Sequence, residues 1–180
     1  MTAHSHSKRR LLAFVLVFAM LVSPGVLPAA AMPETPFAAI SLAAPYAQNF
    51  NTLSSTAGTG YPWTDDTTIA GWYSTRTTYN ANNGASNSGA LYSYGVNDDS
   101  DRALGSIGSG STGTIRYGAR FTNDTGSTVT SISIAYTGEQ WRNGGNTTQH
   151  ALSFDYQVGA SVTSLTTGTW TPVTAVDFTG

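Results

Sequence analysis

The chain has 180 residues, with eight Lys and Arg against ten Asp and Glu, a formal net charge of −2 and no cysteine. The lack of cysteine excludes disulfide staples, thiolate metal sites and a cysteine nucleophile. Charged residues make up only 10% of the chain, and no basic cluster follows the N-terminal segment, which argues against nucleic-acid binding, where affinity comes mainly from neutralised phosphates.

Lys8-Arg9-Arg10, an apolar run over residues 11–22, the breaker pair Pro24-Gly25 and Ala29-Ala30-Ala31 have the three-part layout of a secretory signal peptide cut after Ala31. The apolar run falls short of the about 20 residues that a retained membrane helix needs. With no cysteine to acylate, a lipoprotein anchor is excluded. Residues 1–31 are therefore expected to direct secretion to the extracellular space and to leave no membrane span. The remaining 149 residues (180 less 31) carry no lysine and five arginines against ten carboxylates, a net charge of −5. That length supports one domain with a sizeable core.

Residues 32–45, with Pro33, Pro36 and Pro45, read as an extended lead-in. Residues 46–50 are predicted to form a first strand. Residues 54–66 form a Ser/Thr/Gly-rich loop whose Trp63 folds back as a lid on the core. Residues 70–79 are rich in β-branched and aromatic side chains and predict a strand, followed by a polar loop over 80–88. Residues 89–96 place Tyr92, Tyr94 and Val96 on one strand face, and 97–101 turn the chain. A short strand over 102–107 and a flexible connector over 108–113 lead to a clean alternation, with Ile115, Tyr117, Ala119 and Phe121 opposite Arg116, Gly118 and Arg120.

Asn123-Asp124-Thr125-Gly126 turns that strand toward the most regular part of the chain. There Ile132, Ile134 and Tyr136 alternate with Ser131, Ser133 and Ala135, and Leu152, Phe154, Tyr156 and Val158 alternate with Ser153, Asp155 and Gln157. The intervening Asn143-Gly144-Gly145-Asn146 tolerates positive φ, so the two runs are expected to form an antiparallel hairpin. The last strand-like run, 169–178, contains Pro172, which suits an edge. About eight short strands separated by turn signals predict an all-β, antiparallel jelly-roll-like β-sandwich over residues 46–180. Because Thr179-Gly180 follows an apolar strand directly, a closing strand is expected to be missing and the sandwich to be C-terminally incomplete.

Five stretches carry a resemblance: Gly71-Trp72-Tyr73, residues 89–95, Asp101-Arg102-Ala103-Leu104-Gly105-Ser106, residues 136–142 and residues 152–158. Over residues 46–178 the chain resembles the N-terminal β-sandwich module of large secreted bacterial proteins. Among these are cell-surface proteins with sorting signals, lamin-tail proteins and extracellular nucleases of the endonuclease/exonuclease/phosphatase type. Gly138-Glu139-Gln140-Trp141-Arg142 is the most specific stretch. The resemblance implies further strands, including one with an acidic pair that has no counterpart here, and it implies no catalytic residues for the module.

Trp141, Arg142 and Glu139 are the most conspicuous polar and aromatic group. An aromatic face beside a guanidinium and a carboxylate can grip a sugar or peptide. The same residues can instead cap the core and fix a loop, with Arg142 or Arg102 paired to Glu139 or Asp101, which is the commoner role of such motifs in small sandwiches. Asn97, Asp99 and Asp101 stand at alternate positions that could open a calcium loop, although Arg102 and Gly108 occupy places that such a loop gives to glycine and glutamate. An acidic turn without Ca2+ is the simpler reading. No Gly-x-Ser-x-Gly elbow, histidine pair or phosphate loop occurs, and Glu139 with Asp155 or Asp177 has no spacing that identifies a glycosidase pair. His150 reads as a strand-end surface residue, and the acceptor patterns at Asn123 and Asn146 as turn sequence. The expected function is a secreted, non-catalytic binding or spacer module of an extracellular or cell-surface bacterial protein, with a polysaccharide or surface glycan as partner. The alternative is an accessory fragment of an extracellular metal-dependent nuclease or phosphoesterase.

Overall fold

The computed structural model describes residues 15–19, 39–145 and 147–180. The cut site after Ala31, the flanks of the expected signal peptide, the first half of the lead-in and Asn146 lie outside the described residues. Among the described residues the fold is all-β, with one short 3-10 turn at Thr174–Val176, and no helix is long and apolar enough to cross a membrane. In chain order the strands are β1 Val15–Ala19, β2 Ile40–Ser41, β3 Gly58–Pro62, β4 Trp72–Ser74, β5 Thr78–Asn82 and β6 Ala90–Tyr94. They continue as β7 Ala103–Ile107, β8 Tyr117–Thr122, β9 Ala151–Leu152, β10 Asp155–Gly159, β11 Thr171–Pro172 and β12 Phe178–Thr179.

One sheet has the order β3-β5-β6-β7, and a larger one runs β11-β10-β1-β8-β2 with β4 also paired to β8. β9 and β12 form a two-stranded ribbon. Trp72, Tyr117, Ala119 and Phe121 from the larger sheet and Tyr79, Leu91 and Leu104 from the smaller one belong to a single buried cluster. The two sheets therefore share one core, as in a sandwich. Phe50 and Trp72 meet edge to face within it, with ring centroids 4.8 Å apart, a geometry favoured by the ring quadrupoles. Trp63 folds onto the same core and its indole N–H donates to Asp65 Oδ1 at 2.9 Å.

The expected purely antiparallel arrangement is corrected, because β1 pairs parallel with β8 and β10, β2 with β8, and β5 with β6. Residues 46–50 are not a strand. Gln48 Oε1 accepts from the Phe50 N–H at 2.8 Å, Asn49 Oδ1 accepts from the Asn51 N–H at 3.1 Å, and Phe50 has φ 62°. These local side-chain bonds give the backbone an alternative to a ladder. Within the Ser/Thr/Gly loop, residues 58–62 form β3, and β5 runs on through Asn82 into the predicted polar loop.

The expected hairpin of 132–136 with 152–158 is not formed. Residues 128–138 join no ladder, Leu152 pairs with Phe178, and β10 has β1 on one side and β11 on the other. With both sides of β10 taken, the 132–136 stretch cannot pair with it, although Ile134 and Tyr136 still pack against the core. Pro172 lies on β11, which pairs with β10 alone, as its missing N–H requires of an edge.

Candidate functional site

β6 is buried on both faces, and its alternation divides its side chains between two packings. Leu91 enters the shared core, while Tyr92 and Tyr94 join a second cluster with Ala103 on the opposite face. Their rings stack at 4.8 Å and 17°, and the Tyr94 ring lies over Gly105, where an added Cβ would come within 2.9 Å of it. Trp141 completes the stack, parallel to Tyr94 at 6.3 Å and 6°. The glycine-rich turn that carries Trp141 is thus anchored on the outer face of the smaller sheet.

Glu139 is buried, and one of its carboxylate oxygens accepts the Trp141 indole N–H at 2.6 Å. Arg142 extends the other way and donates through Nη1 to the carbonyls of Gly84 and Ala85 at 3.3 and 3.2 Å. Gly84 has φ +89°, and a Cβ there would come within 2.2 Å of the Trp141 carbonyl oxygen. Two loops that are far apart in sequence are therefore locked backbone to backbone. Beside them opens a cleft of about 350 Å3 lined by Tyr94, Glu139, Gln140, Trp141, Arg142 and His150, with Asn87 at its rim. Burial, followed by the neighbouring Tyr92 and Tyr117, raises the Tyr94 phenol above its ordinary value, so it stays neutral and keeps its stacking partner at physiological pH.

The structure therefore brings Trp141, Arg142 and Glu139 together, and most of what each does is hold the loop. The pairing expected of Arg102 or Arg142 with carboxylates takes another form. Arg102 is 2% exposed and donates to Ser93 Oγ at 2.9 Å, Ser93 O at 2.6 Å and Val96 O at 2.9 Å. Sequence reading missed Tyr94 as the platform for Trp141 and Asn87 and Gln140 as cleft residues. The alternation of Tyr92 with Tyr94 placed them on one face but did not say which face would be covered.

Asn97, Asp99 and Asp101 lie together in one tight turn. The Asp99 N–H donates to Val96 O at 3.0 Å, Asp99 Oδ1 accepts the Asp101 N–H at 3.0 Å, and Asp98 has φ 63°. This is a tight acidic turn, and among the described residues no three His, Asp or Glu side chains converge on a common point. Burial lowers the pKa of Arg102, and the charges of Asp99 and Asp101 oppose that shift.

Comparisons of the chain with protein-family models, with curated proteins and with solved structures find no match.

Proposed function

We propose that this chain is a secreted, non-catalytic, jelly-roll-type sandwich module of an extracellular bacterial protein, that residues 1–31 are its signal peptide, and that the cleft beside Trp141 binds a polysaccharide or cell-surface glycan. The observation that carries the reading is the cleft itself. It is lined by the Trp141 and Tyr94 rings, which stack on buried Tyr92, and by the amides of Asn87 and Gln140. Stacked rings offer apolar area to a sugar face, and amides offer both donors and acceptors to its hydroxyls. The non-catalytic part of the reading is supported by the cleft lining, in which Glu139 is the one carboxylate among the described residues where a glycosidase needs two. Glu139 accepts from Trp141, Asp155 lies 3.9 Å from Arg116, and Asp177 Oδ1 accepts the Phe154 N–H at 2.7 Å. The motif resemblance to modules at the front of secreted bacterial proteins points the same way.

The test is retention of the secreted protein on a panel of insoluble polysaccharides. Asn87→Ala and Gln140→Ala remove cleft amides, and each is expected to weaken retention about threefold to tenfold, the value of one lost hydrogen bond. Trp141→Ala is expected to abolish retention. An unretained wild-type protein across the panel would sink the glycan reading and leave a spacer module.

A further inference from the structure

We infer that the position occupied by β1 is the place of residues 129–136 in the mature fold, and that loss of the N-terminal segment lets this stretch move between β8 and β10. The inference rests on the reading of residues 1–31 as a signal peptide, since β1 lies inside the apolar run of that segment. β1 is a central strand, with Leu16 to Ala19 in register with Ala119 to Thr122 of β8 and Val15 to Ala19 in register with Asp155 to Gly159 of β10. Its removal would leave a gap one strand wide, with two facing rows of unpaired backbone groups.

The chain itself holds a strand suited to that gap. In sequence, residues 129–136 stand between β8 and β10; in space, β1 stands between them. Because β8 and β10 are both parallel to β1, they run the same way. A strand that enters by a tight turn from β8 would be antiparallel to both and would make a local meander, the favoured connection between sequential strands. The turn already exists, with Asn123 Nδ2 donating to Ser127 O at 2.8 Å, Thr125 Oγ1 donating to Asn123 Oδ1 at 2.7 Å and Gly126 at φ +75°. The stretch also has the required period: Ile132, Ile134 and Tyr136 share a face, and Ile134 and Tyr136 already lie on the core.

There is room to move. Cavities of about 530 and 550 Å3 flank the stretch, and Ile132 and Ile134 line both. The walls of the gap are tied independently of β1, because Arg116, next to β8, lies 3.9 Å from Asp155 at the start of β10 and 6.0 Å from the Trp170 ring. The exchange would replace two parallel pairings with two antiparallel ones and would form the strand that the 131–136 alternation predicts.

The experiment is amide hydrogen exchange on the full chain with Val17→Pro, which removes a ladder donor from the middle of a central strand. The expected result is a slowing of at least about tenfold for amides in residues 132–136, with β8 and β10 keeping their protection. Fast exchange at 132–136, with β8 and β10 still protected or not, would overturn the proposal. A second full-chain variant, Phe18→Cys with Phe121→Cys, joins register partners and locks β1 in place, with no native cysteine to interfere. In the oxidised form residues 132–136 must stay unprotected; protection there would overturn the proposal even if the proline variant failed to fold. The N-terminal residue of the secreted product tests the signal-peptide reading separately, since retention of residues 1–31 would remove that reading without altering either exchange result.

Discussion

Arg102 offers the sharpest test of how the smaller sheet is held together. Its guanidinium is 2% exposed and makes three hydrogen bonds, to Ser93 Oγ, Ser93 O and Val96 O, while its backbone N–H donates to Asn51 Oδ1 at 3.0 Å. Ser93 Oγ in turn donates to Ser54 O at 2.9 Å, so one side chain ties β6, the turn after it and the loop before β3. Hydrogen bonds from a charged donor contribute about 1.5–3 kcal/mol each, but burying the guanidinium returns much of that sum. Truncation is a different quantity, because it leaves two carbonyls and a hydroxyl without their donor and opens a cavity. Arg102→Ala is therefore expected to cost about 3–5 kcal/mol. With a urea slope of about 2 kcal/mol/M, the unfolding midpoint followed by tryptophan fluorescence should fall by about 2 M. Arg102→Lys keeps the charge but loses the planar fork, and should lie between the two. The acceptors are carbonyls and a hydroxyl rather than carboxylates, so the loss should change little with added salt. A loss below about 1 kcal/mol for Arg102→Ala would refute the reasoning, since three unsatisfied buried groups cannot cost so little.

Two further predictions concern the platform under the candidate site. Gly84→Ala must accommodate a Cβ within 2.2 Å of the Trp141 carbonyl oxygen at φ +89°. It should cost at least about 2 kcal/mol and weaken the near-ultraviolet circular dichroism of the aromatic stack, and a neutral result would mean that the two loops are not in contact. The Tyr94 phenol has its pKa raised by burial, so the folded state holds that proton more tightly than the unfolded chain does. Its contribution is fully present below the unfolded value of about 10 and is lost as pH rises above it. Thermal midpoints of the wild type should fall from about pH 10 upward, and Tyr94→Phe should flatten that fall; parallel curves would contradict the assignment.

The sequence was most legible where the local pattern and the packing demand coincide. β7 and β8 lie within a residue or two of the runs their alternation marks, and Tyr117, Ala119 and Phe121 are buried as the period requires. Trp63 as a lid and Pro172 on an edge follow from single-residue chemistry, namely a large ring that must be covered and a backbone without a donor. Legibility failed where side chains compete with the ladder, as with Gln48 and Asn49 beside residues 46–50, and where a strand has little apolar content, as with β3 and the end of β5. The parallel pairing of β5 with β6 could not be read, because register between strands depends on tertiary contacts and not on either strand's own period.

For the candidate site, the sequence leaves two duties open to Glu139, Trp141 and Arg142, fixing a loop or contacting a ligand, and the structure shows the first. Trp141, Glu139 and Arg142 look like a ligand-gripping trio because a tryptophan, a carboxylate and a guanidinium lie within four consecutive residues. Folding uses part of their bonding capacity internally: the indole N–H goes to Glu139, one ring face to Tyr94, and Arg142 Nη1 to two carbonyls. A group so engaged is rigid, and rigidity is what a sugar platform needs, since a ring that must be ordered on binding gives up side-chain entropy at that moment. The anchoring role and the proposed binding role are therefore compatible. Under the proposed reading the stack and its indole bond set the platform, while exposed Asn87 and half-buried Gln140 would choose among ligands. Loss of the platform should abolish retention of every glycan alike, whereas loss of an amide should change the ranking among glycans, and that contrast separates the two duties in a single binding series.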